Sequence, residues 1–568
     1  MKSKRLLASL LMISLTASMA LVGCKKDDSP KEDNKPAEEN KEESKMDKEQ
    51  YLNVLLGAEP KSLDPSKSTD GYSSDVLTNV MESLTRLEAD ENGQGSIVPG
   101  AAEKWEKSED STVWTFHLRD MKWSDGEAVT AEQFVYGIKR TLDPETASEY
   151  AFLLFPIKNA EAYNAGKAKA EDVGVKAIDE RTLEFTLERP CSYFLDLTYF
   201  KVMEPQRQDI IEKHGDRYGS EADTMVFCGP FMIKEWVHNN KVELVKNPEY
   251  WDAENVKLEK ATMKIIKETN SVMNEIYNGS LDLGNVNKPE WIEKLDKTGE
   301  FQVKKYFEGG TVYSFFNQNT KYFKNAKIRK AFIIAKDREG TVKSLYKGIA
   351  EPASAFCSPS VKIDGVDYRD RANYAPVEDL KKDNPDPKAL FIEGLKELGL
   401  DPDPSKHTIK IIQSGNSATN KEFGEFEQQN YKNVLGVNIE PDYCEWAVFQ
   451  SRTTDGDYEM AGQTWVGDYN DPSTFFDIWV SNAGINNTGW KNAKYDEIIK
   501  KANGTADPEE KAKLFKEAEK ILIYDEGVIS PSIYRYYNTY IRNYVKNYSR
   551  PAFGSISLKN TYTEGREK

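Results

Sequence analysis

The chain is short of the residues that most enzymes rely on. Its 568 residues include only four histidines, His117, His214, His238 and His407, and none stands in a His-Glu-x-x-His arrangement. There is no Gly-x-Ser-x-Gly elbow and no Gly-x-x-x-x-Gly-Lys-Ser/Thr loop, so neither an activated serine nor a phosphate cradle is nominated. Gly93 and Gly95 make half of a dinucleotide fingerprint and sit in a turn. With 94 acidic residues, chance carboxylate pairs are everywhere and single out no acid–base couple. The net charge of -17 excludes a basic footprint for nucleic acid. Cys191, Cys228, Cys357 and Cys444 are widely spaced, which leaves open both one or two disulfides and free buried thiols. Past residue 50 no run is long and apolar enough to span a membrane. The expectation is a binding protein without catalytic residues, metal or cofactor.

The N-terminus has what the body lacks. A basic "MKSKR" precedes the apolar "LLASLLMISLTASMA", which is too short and too early for a spanning helix and reads as an export signal. It ends in "LVGC", Leu21 to Cys24, which resembles a bacterial lipobox. On that resemblance residues 1–23 are cleaved and the Cys24 thiol carries the lipid. Residues 25–50, "KKDDSPKEDNKPAEENKEESKMDKEQ", hold no aromatics and no large aliphatic except Met46. Such a stretch buries too little apolar area to fold, so 24–50 reads as a lipid-anchored tether spanning roughly 25–30 Å. The body is then extracytoplasmic, held at the bacterial cell membrane.

From Tyr51 onward strand and helix patterns mix. "YLNVLLGAEP" reads as a short strand, and "STVWTFHLRD" and "TLEFTLERP" alternate as half-buried strands. "TAEQFVYGIKRTL" opens on a Thr N-cap with apolar residues at helical spacing. "NAKIRKAFIIAKDREGTVKSLY" and "DPEEKAKLFKEAEKILIYDEG" are further amphipathic helices, so the body is α/β.

Several segments together resemble the solute-binding proteins of oligopeptide ABC importers, the dipeptide/oligopeptide-binding family, solute-binding protein family 5. They include "EPKSLDPSKSTDGYSSDVLTNVMESLTRL", "KWSDGEAVTAEQFVYGIKRTLDPETASEYA", "FCGPFMIKEW", "WVGDYNDPSTFFDIWV" and "NNTGWKNAKYDEIIKKA", in family order from about residue 52 to the C-terminal "YNTYIRNYVKNY". The resemblance implies a periplasmic-binding-protein-like fold (type II, cluster C) with three lobes around a hinged cleft. Lobe I gathers 51–71, 201–305 and 535–568, lobe II is inserted at 72–200, and lobe III spans 306–534, with hinge crossings near 305 and 535. It also implies an oligopeptide ligand, ABC permease and ATPase partners, and action as a monomer.

A receptor for many peptides must grip the backbone and the termini that all peptides share. By resemblance, Asp468 of "WVGDYNDPSTFF" accepts the ligand ammonium, with Tyr469 beside it and Thr464, Trp465 and Val466 as a backbone rail. The other reading, that Asp468 caps the turn before Ser473, competes with Asn470 and Asp471, which can serve that turn themselves. Cys228 and Gly229 match a ligand-contacting Asn-Gly strand, although a thiol stands where the family has an amide. Tyr150 matches a tyrosine near the ligand's N-terminal end. Asp70, Gly71 and Tyr72 lie on a cleft-side loop, Asp70 as a second negative charge, and Trp446 is a candidate pocket wall. Some members hold the ligand carboxylate with an arginine six residues before the aspartate; Gly462 stands there, which leaves Lys347 as the candidate cation and points away from one fixed short ligand length. The same fold also serves dipeptides, nickel chelates, haem, oligosaccharides and peptide signals, and a surface peptidase or cell-wall hydrolase is the alternative from another class.

Overall fold

Alternation decides the first element. In β1 (Tyr51–Leu55) Leu52 and Val54 are fully buried while their neighbours are partly exposed. The computed structural model describes residues 46–90, 93–191, 193–346, 348–505 and 507–566. The signal region, Cys24, residues 24–45 of the expected tether and Lys347 lie outside the described residues. Residues 47–50, counted with the tether on composition, are docked. Asp47 N–H donates to the Thr563 carbonyl at 3.0 Å, the Asp47 carboxylate accepts from Gly565 N–H at 2.7 Å, and Gln50 Nε2 donates to Thr563 O at 2.9 Å. Composition cannot register a polar segment that pairs through its backbone with the far end of the chain.

After β1 the chain builds α1 (Gly71–Val80) and a four-stranded antiparallel sheet of β2 (Ala102–Lys107), β3 (Val113–Leu118), β4 (Val175–Asp179) and β5 (Thr182–Thr186), in the order β2-β3-β5-β4. The expected helix with a Thr N-cap appears as α2 (Ala131–Leu142), where Gln133 Oε1 accepts from Thr130 N–H at 3.0 Å. The chain then returns as β6 (Phe231–Val237), β7 (Lys241–Lys246), β8 (Lys260–Lys264) and β9 (Leu283–Asn285), followed by the long β10 (Phe301–Phe316). Further on come β11 (Ala350–Pro352), β12 (Thr408–Ser414), β13 (Asn438–Cys444), α3 (Trp446–Thr454), β14 (Met460–Val466) and the long β15 (Ile529–Arg542). These strands form one mixed sheet of 11, ordered β13-β12-β14-β10-β15-β9-β1-β8-β7-β6, with β11 added on β15.

β10 and β15 run antiparallel from the Phe301–Arg542 pair to the Phe315–Ile529 pair and so tie the two halves of the sheet together. Residues 305 and 535, near which the hinge crossings are expected, both lie within these paired strands. There the register slips between Phe307 and Thr311, a bulge with Gly309 at φ 72°. A Cβ on Gly309 would lie 2.4 Å from the Ala552 carbonyl, so only glycine fits. Glu308 and Arg535 form an ion pair at this bulge.

One expectation needs correction, and one open alternative is decided. The run from Asn325 to Tyr346 is not one helix: it stops at Ala335 and restarts at Arg338 with Asp337 as its N-cap. The buried Arg338 guanidinium there binds the carbonyls of Ile333, Ala353 and Pro531, which drives the break. Cys191, Cys228, Cys357 and Cys444 are all free thiols.

Candidate functional site

β14 is paired along only part of one edge. On one side it pairs with β10 from Gly310–Val466 to Phe316–Met460, and on the other with β12 only at Met460, Ala461 and Gly462. Gly467 N–H donates to the Gly309 carbonyl at 3.0 Å, and counting back by two directs the backbone of Trp465 and Gln463 toward β10 as well. The amide and carbonyl groups of Thr464 and Val466 therefore face the open edge. The expected rail of three successive residues is an alternating one, with Trp465 held elsewhere. Its ring is buried, and Nε1 donates to the Thr474 carbonyl at 2.9 Å.

That bond closes the loop after the strand. Thr474 Oγ1 accepts from Asp468 N–H at 2.9 Å, and Asp471 Oδ1 accepts from Ser473 N–H at 3.0 Å. Asp471 thus serves the turn, Asn470 Oδ1 accepts from Lys362 N–H at 2.8 Å, and Asp468 is left over. The Tyr199 hydroxyl donates to the Asp468 carbonyl at 3.0 Å, but buried Oδ2 of Asp468 has no hydrogen-bond partner. Burial pushes the carboxyl up to about 7, while the Lys201 ammonium pulls it down. Without a charged donor against it, this is an expensive group to bury.

Asp468 opens onto a cavity of about 180 Å³. Of the expected residues, Thr464, Trp465, Val466, Tyr150, Asp70, Gly71 and Trp446 line it with Asp468. Tyr150 is buried, its hydroxyl donating to the Thr69 carbonyl at 3.2 Å, and burial, with the Asp468 and Asp70 charges adding to it, holds its hydroxyl well above the usual range. Asp70 caps α1, both carboxylate oxygens accepting from Ser73, N–H at 2.9 Å and Oγ at 2.7 Å. Trp446 stacks on Phe449 at 5.6 Å and takes the edge of Tyr72 at 6.0 Å, so Tyr72 backs the wall without lining it.

Three expected residues lie elsewhere. Tyr469 is fully buried and stacks on Tyr193 at 5.0 Å, with Ser473 Oγ donating to its hydroxyl. Cys228 is fully buried, and desolvation raises its thiol well above the ordinary range. Gly229 N–H donates to the Val80 carbonyl at 2.9 Å, and its own carbonyl accepts from Asn247 Nδ2 at 2.9 Å. Its backbone is fully committed, and a Cβ there would sit 2.6 Å from the Val80–Met81 peptide. The glycine lets β6 start against the end of α1; it offers no free group to a ligand.

Lys201 was not anticipated. It lines the same cavity, is 4 % exposed, and its Nζ donates to Ser74 Oγ at 2.6 Å and the Asp70 carbonyl at 3.3 Å. A lysine in "TYFKVMEP" carries no local motif, and only the fold brings it to the cleft. Among the described residues, no cluster of acidic, His and Cys side chains is arranged to hold a metal, and no helix is long and apolar enough to cross a membrane.

An open strand edge and an uncompensated carboxylate at one cavity, carried by a mixed sheet whose long central strands are bulged, define a cleft-type solute-binding protein. The family profile of the bacterial extracellular solute-binding proteins, family 5 (middle), matches residues 96–487, and the chain belongs to this family. The oligopeptide-binding protein OppA of Bacillus subtilis is 35% identical over 519 residues, covering 90% of this chain and 92% of its own length. Listeria monocytogenes OppA bound to peptide superposes with a TM-score of 0.82 at 30% identity, covering 91% of this chain and 100% of that one. The Escherichia coli murein tripeptide-binding protein MppA covers 92% of this chain and 100% of its own at 26% identity and TM-score 0.83. Its unliganded open form, at 26% identity and covering 91% and 98%, falls to 0.57. The arrangement described here therefore departs from that open form.

Proposed function

We propose that the protein captures extended oligopeptides with free N-termini and passes them to a membrane permease driven by ATPase subunits. One observation carries the reading. Asp468 is half-buried beside a cavity with its Oδ2 atom buried and unpartnered, next to an open strand edge that offers Thr464 and Val466 backbone groups. A ligand ammonium supplies the missing charge, and the peptide backbone supplies the missing strand. The oligopeptide-binding proteins among its relatives support the same reading. Gly462 leaves the cavity without an arginine there, although a Cβ would meet nothing closer than 3.7 Å, which favours ligands whose C-termini are held elsewhere, with Lys347 the candidate. Segments 51–71, 201–305 and 535–568 are read as lobe I, 72–200 as lobe II and 306–534 as lobe III, closing about the bulge in β10 and β15. Cys24 is the proposed lipid attachment site, and the mature protein acts as a binding component, not an enzyme.

The test is mass spectrometry of small molecules released by denaturing the purified protein. Mixed linear peptides are expected, and N-acetylated versions of them should fail to rebind. A homogeneous sugar or chelate would displace the reading.

A further inference from the structure

Next to the main cavity is a crevice of about 50 Å³, and Lys201, Ser74 and Ser555 line both. Its walls carry the hydroxyls of Ser74, Thr78, Ser83 and Ser555 and the cations Lys201 and Arg86, and no carboxylate is among its lining residues. In a chain of net charge -17 this is an inverted local balance. Arg86 is committed to Glu82 at 2.9 Å. Lys201 is not committed to any acid: its two acceptors, Ser74 Oγ and the Asp70 carbonyl, are neutral, and no described carboxylate lies within 4.0 Å of Nζ. An ammonium has three N–H donors, so one is left over.

Of the acids that face Lys201, Asp70 acts on it most strongly and Asp468 next, and neither lies within ion-pair distance of its ammonium. Asp70 is taken by Ser73, and Asp75 accepts from Ile556 N–H at 2.9 Å and faces Arg550. Burial pushes the Glu204 carboxyl up to about 8 against the pull of the Lys201 ammonium, which favours its neutral form. That leaves Asp468, beyond ion-pair distance across the cavity. When a ligand ammonium takes Asp468, Lys201 loses part of its acidic surroundings and remains a buried cation whose direct acceptors, Ser74 Oγ and the Asp70 carbonyl, are neutral, a state that favours an incoming anion. The crevice holds roughly four water-sized positions, the number of heavy atoms in a glutamate side chain past Cβ.

We propose that Lys201 and this hydroxyl-lined crevice form a subsite for the first side chain of the bound peptide and select a carboxylate there. One residue then bridges the two charges, its ammonium on Asp468 and its side chain on Lys201. The proposal rests on the peptide reading and narrows it to peptides that begin with an acidic residue.

The test is calorimetric titration of the ligand-stripped protein with unblocked pentapeptides that differ only in the first residue, Glu, Gln, Leu or Lys, followed by four alanines. The wild type should bind the Glu peptide at least tenfold more tightly than the Leu peptide, with Gln between them and Lys weakest. In Lys201→Met the Glu-to-Leu ratio should collapse to within twofold, whereas a purely structural loss lowers both affinities and keeps the ratio. Equal binding of Glu and Leu peptides by the wild type, or a ratio undiminished in Lys201→Met, overturns the subsite and leaves the peptide reading intact. If the variant does not fold, the wild-type order alone decides. Failure of every unblocked peptide to bind overturns the peptide reading and the subsite together.

Discussion

Two aspartates line one cavity and are in opposite states. Asp70 sits at the head of α1 with both oxygens held by Ser73, and Asp468 sits past the end of β14 with Oδ2 held by nothing. Both are acidic residues in loops that precede short polar runs, and both were candidates for the same ammonium. The difference lies in the local supply of donors. A helix start brings unpaired N–H groups that a carboxylate can satisfy. The loop after β14 gives its donors to other acceptors, because Thr474 Oγ1 and Asp471 take the amides of Asp468 and Ser473. A buried acid points to a ligand only when its own surroundings leave it unsatisfied.

The largest expected effect separates the two directly. Asp468→Ala should weaken peptide binding by about two to three and a half decades, since removing one partner of a buried charge pair costs about 3–5 kcal/mol. Asp70→Ala should move the affinity less than tenfold. Calorimetry with an unblocked peptide and its N-acetylated form checks this as a cycle. Acetylation and Asp468→Ala remove the same contact, so together they should cost little more than either alone. Additive losses would place the ammonium elsewhere.

The second effect concerns the empty protein. Burial raises the Asp468 carboxyl to about 7, above its value near 4 in the unfolded chain, so the folded state holds this proton more tightly. The cost of the buried charge is absent below pH 4, grows between 4 and 7, and is complete above 7. Asp468→Asn should therefore stabilise the ligand-free protein at pH 8 by about 2–4 kcal/mol at most, with the gain fading toward pH 4 in denaturant titrations. Asp70→Asn should give no such gain.

A third effect follows from the same proton. Ammonium binding needs both the ionised carboxylate and the protonated ligand amine, so wild-type affinity should peak near pH 7–8, fall about tenfold per unit well below 7 as Asp468 takes up its proton, and fall again above about 8 as the ligand amine loses its own. Asp468→Asn should bind weakly at every pH, without the acid-side slope. An acid-side slope that survives the substitution would assign the titration to another group.

How much of this was legible depends on distance along the chain. β1, β3, β5 and α2 follow from alternation and capping within a dozen residues, and all were expected. That Asp468 is free of the turn was legible because Asn470 and Asp471 stand next to it and could be weighed as rival turn formers, and Asp471 does serve it. Gly229 misled because the backbone groups that occupy it come from Val80 and Asn247, distant in sequence. Tyr469 was named for its neighbour, but in the loop after β14 it packs inward onto Tyr193. Lys201 was illegible: a lone lysine between apolar residues reads as exposed until Ser74 and the Asp70 carbonyl are brought against it.

The smallest effect tests the Asp70 half of the comparison. If its carboxylate serves only as the cap of α1, Asp70→Ala should cost about 1 kcal/mol of stability, and Asp70→Asn, an equally good cap, almost nothing. Both substitutions remove the negative charge, so any charge-based role in recognition should be lost equally in the two. Denaturant unfolding and peptide titration on the pair therefore separate the roles. Loss of stability in Ala but not Asn, with affinity matched, assigns Asp70 to the helix. An equal loss of affinity in both, with stability kept in Asn, would make Asp70 a second anion for the ligand and reduce its contrast with Asp468 to one of degree.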